Sequence, residues 1–232
     1  MIRVTIWNEF KHDREYEGVH AIYPDGIHTC LARALGVDAD LSVRTATFGE
    51  SEHGPTQSVL DDTDVLVFWS HALQNEFSDG VVARVQQTVL SGMGLVALHS
   101  AHFSKVMKLL MGTSMTLKWK HGEHERLWCI NPTHPIAQGV PECVELPEEE
   151  MYGEYFDMPK PDDVVFAGWF SGSQVFRSGC TFTRGLGRIF YFQPRHEEYP
   201  VYHNPQIQRI IVNAVHWCAP MLRRRTLECE AL

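Results

Sequence analysis

Residues 3–7, 64–71, 92–98 and 187–192 are rich in Val, Ile, Leu, Phe and Trp, most of these runs stop abruptly at polar residues, and the more polar residues 42–48 read as a further strand. Short continuous apolar runs of this kind predict strands buried on both faces, the habit of parallel sheets. Between them the apolar period changes to that of a helix. Ile27, Leu31, Ala34 and Leu35 recur at helical spacing before Gly36, and Ser78 can cap a helix lined by Val82, Val85 and Val89. Phe103, Val106, Met107, Leu110 and Met111 predict a third helix, and Pro205 opens a fourth striped by Ile207, Ile210, Ile211, Ala214 and Val215. Strands alternating with helices in this way predict an α/β fold with a doubly wound, mostly parallel sheet.

From residue 112 the alternation fades into aromatics, charges and prolines. Residues 127–130, 164–170, 174–177 and 181–183 read as short strands, so an irregular insertion packed on the sheet edge is expected between about 112 and 185. The whole chain reads as one domain over residues 1–220 followed by a basic tail over 221–232, which contains Arg223-Arg224-Arg225. The polar stretch of residues 9–17 is longer than an ordinary βα connection and is expected to be a lid over a site or a dimer contact, the lid being preferred.

In an open α/β sheet, ligands sit beyond the carboxyl ends of the parallel strands. Four predicted strands deliver chemistry there: Glu9 after the first, His71 after the third, His99 after the fourth, and His196 with Glu198 after the last. His99 occupies the sharp strand-to-helix turn that presents a nucleophile in other enzymes, and an imidazole there suits a general acid/base, a hydrogen-bond donor or a metal ligand rather than covalent catalysis. The alternative is a histidine that merely fills a tight turn. Glu198, two residues beyond His196, can orient its imidazole. Tyr152 and Glu154 share a side of an extended segment and offer a phenol and a second base, whereas Glu148, Glu149 and Glu150 read as a solvated charge run. Arg177 offers a fork of donors to an anionic or keto oxygen, or else a surface ion pair. Trp119 can stack on a sugar ring, while the neighbouring His121 and His124 sit around a glycine and read as loop residues. Together His71, His99 and His196 would suit zinc or manganese.

Composition narrows the partners. With 44% hydrophobic and 21% charged residues the chain is an ordinary globular protein, and its net charge of −9 argues against a general nucleic-acid surface. No apolar run reaches the length of a membrane span, and the first residues read as a strand rather than a signal peptide, so a cytoplasmic protein is expected. Six cysteines without C-x-x-C spacing are expected to be core thiols. No G-x-G-x-x-G or G-x-x-x-x-G-K-[ST] follows any strand, which leaves no dinucleotide or NTP motif.

Six dispersed motifs, in order, carry a resemblance: Val4-Thr5-Ile6-Trp7-Asn8-Glu9, Tyr23-Pro24-Asp25-Gly26-Ile27-His28, Leu95-Val96-Ala97-Leu98-His99-Ser100, Glu150-Met151-Tyr152-Gly153-Glu154, Val175-Phe176-Arg177-Ser178-Gly179 and Phe190-Tyr191-Phe192-Gln193-Pro194-Arg195-His196-Glu197. Together they resemble the trehalose-utilisation protein ThuA family. The resemblance implies a flavodoxin-like fold similar to class I glutamine amidotransferases, with His99 at the position of the amidotransferase cysteine and His196 and Glu198 matching its His-x-Glu. Without the thiol, glutaminase activity is not expected. What it implies instead is a role in catabolism of trehalose and related disaccharides, in a pathway that passes through 3-keto sugars. Taken with the candidate residues, the expectation is an enzyme acting on a disaccharide or its 3-keto derivative by acid/base chemistry through His99, His196, Glu198 and Glu154. Glu9, His71, Tyr152, Arg177 and Trp119 would hold the sugar. A non-catalytic sugar- or partner-binding module on the same scaffold is the alternative, and a homo-oligomer is compatible with either.

Overall fold

The computed structural model describes residues 1–194 and 196–223. Arg195 of the last motif, and residues 224–232 of the expected tail, lie outside the described residues.

Five apolar segments form the parallel half of one nine-stranded sheet. They are β1 (Ile2–Asn8), β2 (Leu41–Thr47), β3 (Val65–Trp69), β4 (Gly94–Leu98) and β9 (Gly187–Phe192), arranged β2-β1-β3-β4-β9. Every residue of β3 and β4 is buried, because successive side chains face opposite layers. Val65, Val67 and Trp69 join the core beneath α3 (Ile27–Leu35) and α7 (Pro205–Cys218), whereas Leu66 and Phe68 join the core beneath α5 (Asp79–Leu90) and α6 (Lys105–Met111). The expected caps are in place: Ser78 accepts from Val81 N at 3.4 Å, and Pro205 stands in the first turn of α7. Gly94 opens β4 because α7 crosses there so closely that a Cβ would lie 2.3 Å from Cys218 O.

The other half of the sheet departs from expectation. Residues 112–185 are not an irregular insertion but a regular antiparallel extension, continuing the order as β9-β8-β7-β5-β6 with β5 (Lys118–Cys129), β6 (Cys143–Gly153), β7 (Asp163–Phe170) and β8 (Val175–Arg184). The sheet is therefore mixed, a large sheet flanked by helices, and not mostly parallel. Residues 174–177 and 181–183 belong to the single strand β8. Residues 119–125 lie within β5 instead of a loop; Gly122 and two register shifts against β6 mark bulges that break the alternation on which strand reading depends. The polar stretch after β1 folds into α1 (His12–Glu15) and α2 (Glu17–Ile22), while α4 (Gln57–Asp61) precedes β3. Among the described residues, no helix is long and apolar enough to cross a membrane.

Candidate active site

Because β1, β3, β4 and β9 are parallel neighbours, Glu9, His71, His99 and His196 all emerge at one edge of the sheet. His99 turns there with φ of +52°, in the left-handed region that costs a residue with a Cβ roughly 1–2 kcal/mol. Its Nδ1 lies 3.4 Å from Gln193 O, directly after β9, and its Nε2 lies 3.1 Å from Glu150 Oε2 and 3.4 Å from Tyr152 OH. The Tyr152 ring stacks on the imidazole with centroids 5.3 Å apart. The rings of His71 and His196 stand 5.8 and 5.5 Å from that of His99 and 5.1 Å from each other.

The antiparallel half closes the site from the side. Pairing of β5 with β6 sets Trp119 opposite Tyr152 and brings His121 towards Glu150, with Nε2 and Oε1 3.7 Å apart. The result is a cavity of about 410 Å³ walled by His71, Trp119, His121, Glu150, Tyr152 and His196. His99, wholly buried, lies behind this wall and touches it through Glu150 and Tyr152. A second cavity of about 400 Å³ beside α3, lined by Tyr23, Arg33 and His203, holds no buried carboxylate.

Burial sets the protonation of these groups. Desolvation pushes His71 below its ordinary value and His196 down to about 3, so both imidazoles are neutral at neutral pH. Desolvation also acts to raise Glu197 and Glu150, but their basic neighbours outweigh it. A hydrogen bond from His12 and the surrounding imidazoles of His71, His196 and His99 hold Glu197 far below the usual carboxylate range. The close approach of His99, with His196 and His121 nearby, holds Glu150 low. His12 is raised by Glu197. One donor atom each from His71, His99, His196 and Glu197 lies within 4.8 Å of the others, and His121, Glu150 and His196 meet the same limit.

Of the residues expected from sequence, His71, His99, His196, Tyr152 and Trp119 are brought together here, and Trp119 is 62% exposed at the rim. Others have different duties. The Glu9 carboxylate accepts hydrogen bonds from the backbone N–H groups of His71, Ala72 and Leu73 at 2.8, 2.6 and 3.0 Å, so it holds the loop that carries His71 and is not free to bind a sugar hydroxyl. Glu154 and Arg177 form a two-pronged ion pair at 2.7 and 2.8 Å, and neither lines the cavity. Glu198 lies 3.5 Å from His196 Nδ1 but its side chain is 59% exposed, while its neighbour Glu197 is the carboxylate buried among the imidazoles. Glu150, Glu197, His12 and His121 were not anticipated. His12, on α1, contacts Glu197 and packs 5.4 Å from the His71 ring, so the stretch expected as a lid touches the site, although none of residues 9–17 lines the cavity.

The chain matches the family model described as ThuA, trehalose utilisation, over residues 3–218. No curated protein matches it in sequence. Among solved structures it is similar to a ThuA-like protein from Parabacteroides merdae, with 14% identity and a TM-score of 0.72 over 98% of this chain and 92% of that one. A ThuA-like protein from Bacteroides uniformis gives 16%, 0.65, 94% and 91% for the same measures. A Salmonella typhimurium protein described as cytoplasmic gives 14%, 0.59, 95% and 100%. At these identities the structural likeness bears on the fold alone.

Proposed function

The chain belongs to the ThuA family of trehalose utilisation, and we propose that it is an enzyme acting on a disaccharide or its 3-keto derivative by proton transfer next to a carbonyl. The observation that carries this reading is the cavity itself. Its volume of about 410 Å³ lies in the range of small-molecule sites, and its walls include Glu150, Tyr152, two neutral imidazoles and Trp119. An ionised carboxylate beside a phenol and imidazoles is a set suited to removing a proton while donating to the oxygen that gains charge.

In this reading Glu150 is the base, and the Tyr152 hydroxyl donates to the developing oxyanion, while His71 and His196 wall the site. His99 positions Tyr152, whose hydroxyl lies 3.4 Å from its Nε2, and stands 3.1 Å from Glu150. Direct proton exchange between His99 and His196 is less suitable, because an imidazole pushed down to about 3 is a weak base. Glu150 and Glu197 thus replace Glu154 and Glu198 as the acidic partners. Trp119 offers its exposed face to a sugar ring. The scaffold reading is that the parallel half derives from a flavodoxin-like, class I amidotransferase arrangement, with His99 in place of the nucleophilic cysteine. None of the described residues lining the cavity is a cysteine, and glutaminase chemistry is not part of this reading. We place the reaction in the cytoplasm, as the description of the Salmonella relative suggests.

The test is incubation with a panel of neutral disaccharides and 3-keto disaccharides, followed by product NMR. Turnover that falls by at least about 100-fold in Glu150→Gln supports the assignment, a loss within the range general acid–base catalysis contributes. If no sugar is converted, and His99→Ala and His196→Ala keep ligand affinity within a few-fold, the protein is a non-catalytic binding module instead.

A further inference from the structure

We propose that His71, His99, His196 and Glu197 bind one divalent transition-metal ion, with zinc the ion whose ligand chemistry the set matches best. The site stands on geometry, while its use on a sugar carbonyl rests on the reading above. Two of the imidazoles are locked with their Nε2 lone pairs pointing inward. Ser100 Oγ donates to Ser70 O at 3.0 Å, so it must accept from His71 Nδ1–H at 2.7 Å, leaving His71 Nε2 without a proton. Gln193 O can only accept, so His99 Nδ1 carries the proton and Nε2 is again the lone-pair atom. Outer partners of this kind, a hydroxyl for one ring and a backbone carbonyl for the other, are those that orient metal-bound histidines.

The lone pair of His71 faces another acceptor, Glu197 Oε1 at 3.7 Å. Glu197 Oε2 lies 3.7 Å from His196 Nε2, and His196 Nδ1 stands 3.5 Å from Glu198 Oε2, which can take the proton of that ring when Nε2 binds the ion. Glu197 Oε2 is buried and has no hydrogen-bond partner, which is costly for a carboxylate oxygen unless a cation answers it. All four donor atoms lie within 4.8 Å of one another on the ends of β3, β4 and β9. Three imidazoles and one carboxylate form a donor set that zinc accepts, and manganese tolerates it. Glu150, with Oε2 3.1 Å from His99 Nε2, is left beside the metal as the base, and a substrate oxygen would complete the coordination from the cavity.

The full chain, stripped with a chelator and dialysed, is titrated calorimetrically with ZnCl₂ and separately with MnCl₂. The expected result is about one ion per chain with sub-micromolar affinity for zinc. His71→Ala and Glu197→Gln should each weaken it at least about tenfold, as should Ser100→Ala, which removes only the outer partner of His71. His216→Ala, a histidine outside the cluster, should leave it unchanged. The visible spectrum of the cobalt-loaded native protein supplies an imidazole-ligand signature that depends on no variant. Absence of saturable binding of either ion, or stoichiometric binding untouched by His71→Ala and Glu197→Gln, overturns the site. Metal binding with this variant pattern but no sugar turnover keeps the site and removes the sugar-enzyme reading. Turnover by metal-free, chelator-treated protein keeps the enzyme and removes the metal.

Discussion

Replacing Glu9 by Gln separates a residue that holds the site from one that holds the substrate. The carboxylate is buried at the end of β1, with Oε2 accepting from His71 N and Leu73 N and Oε1 accepting from Ala72 N. An amide of the same shape can keep its oxygen at the Oε2 position and retain two of these bonds. Its NH₂ then faces the Ala72 N–H, donor against donor. A hydrogen bond to a charged acceptor contributes about 1.5–3 kcal/mol, and a donor left buried without a partner costs a comparable amount. The net loss is therefore about 3 kcal/mol. For a chain of this size that corresponds to a fall in Tm of roughly 6–12 °C.

The functional consequence runs through the loop. Its Ser70 and His71 supply the carbonyl and the imidazole of the Ser70–Ser100–His71 relay, so loosening it displaces a metal-facing nitrogen without touching the cavity's far wall. Loss of such a supporting contact costs about 10–100-fold in metal affinity or turnover. Calorimetric melting, zinc titration and steady-state kinetics on Glu9→Gln measure the three effects. A variant that melts within about 1 °C of the native protein, binds zinc normally and shows only a raised KM for sugar would refute this reasoning, because Glu9 would then be a substrate contact.

Three further outcomes follow from the same geometry. His102 is buried, bonds to Met115 O at 2.7 Å and is pushed down to about 3 by burial, so the folded state excludes its proton. Stability from this group is fully present above the unfolded value near 6.5 and is lost as pH falls towards 3, amounting to about 2 kcal/mol by pH 5. In His102→Asn the difference in urea-derived stability between pH 7 and pH 5 should shrink by that amount, and an unchanged difference would remove the linkage. Glu154→Gln should lower stability by about 1–2 kcal/mol through loss of its charged pairing with Arg177, while leaving kcat within about twofold; a loss beyond tenfold in kcat would restore Glu154 to the reaction. Trp119→Ala, at an exposed position, should shift stability by no more than about 0.5 kcal/mol yet raise KM for disaccharides roughly tenfold, and an unaltered KM would move the sugar elsewhere.

The parallel half was legible because its strands are buried on both faces, which leaves an unbroken apolar signal, and the abrupt end of each run located His71 and His99 at once. The antiparallel half was not. β5 runs Lys118-Trp119-Lys120-His121-Gly122-Glu123-His124-Glu125 before its apolar end, and its bulges shift the alternation, so a strand looked like a loop. Glu149 and Glu150 resembled a solvated run, yet all five residues from Glu149 to Gly153 are buried; the adjoining Met-Tyr-Gly was the one available sign. Strand alternation also misled. It placed Glu154 with Tyr152, but β6 ends at Gly153 and the alternation ends with it. Past the end of β9 there is likewise no period to choose between Glu197 and Glu198, and only the packing of α1 against Glu197 decides.

If the proposed reading holds, the charge of the cavity should discriminate among sugars as well. Glu150 and Glu197 are held ionised among imidazoles that burial keeps neutral, and among the described residues lining the space there is no Lys or Arg. Arg177 is spent on Glu154, and Lys120 on Glu123 at 2.6 Å. Phosphate groups are bound by arginine, lysine or helix N-termini, and a carboxylate wall repels them. A neutral disaccharide can meet the same wall with hydroxyl donors, each satisfying a carboxylate or imidazole acceptor, so it should bind better than its phosphorylated counterpart by at least about tenfold, or 1.4 kcal/mol. Competition between trehalose and its phosphate ester, followed by ligand-observed NMR, measures that ratio. Equal or tighter binding of the ester would mean that this acidic pocket is not where the sugar sits.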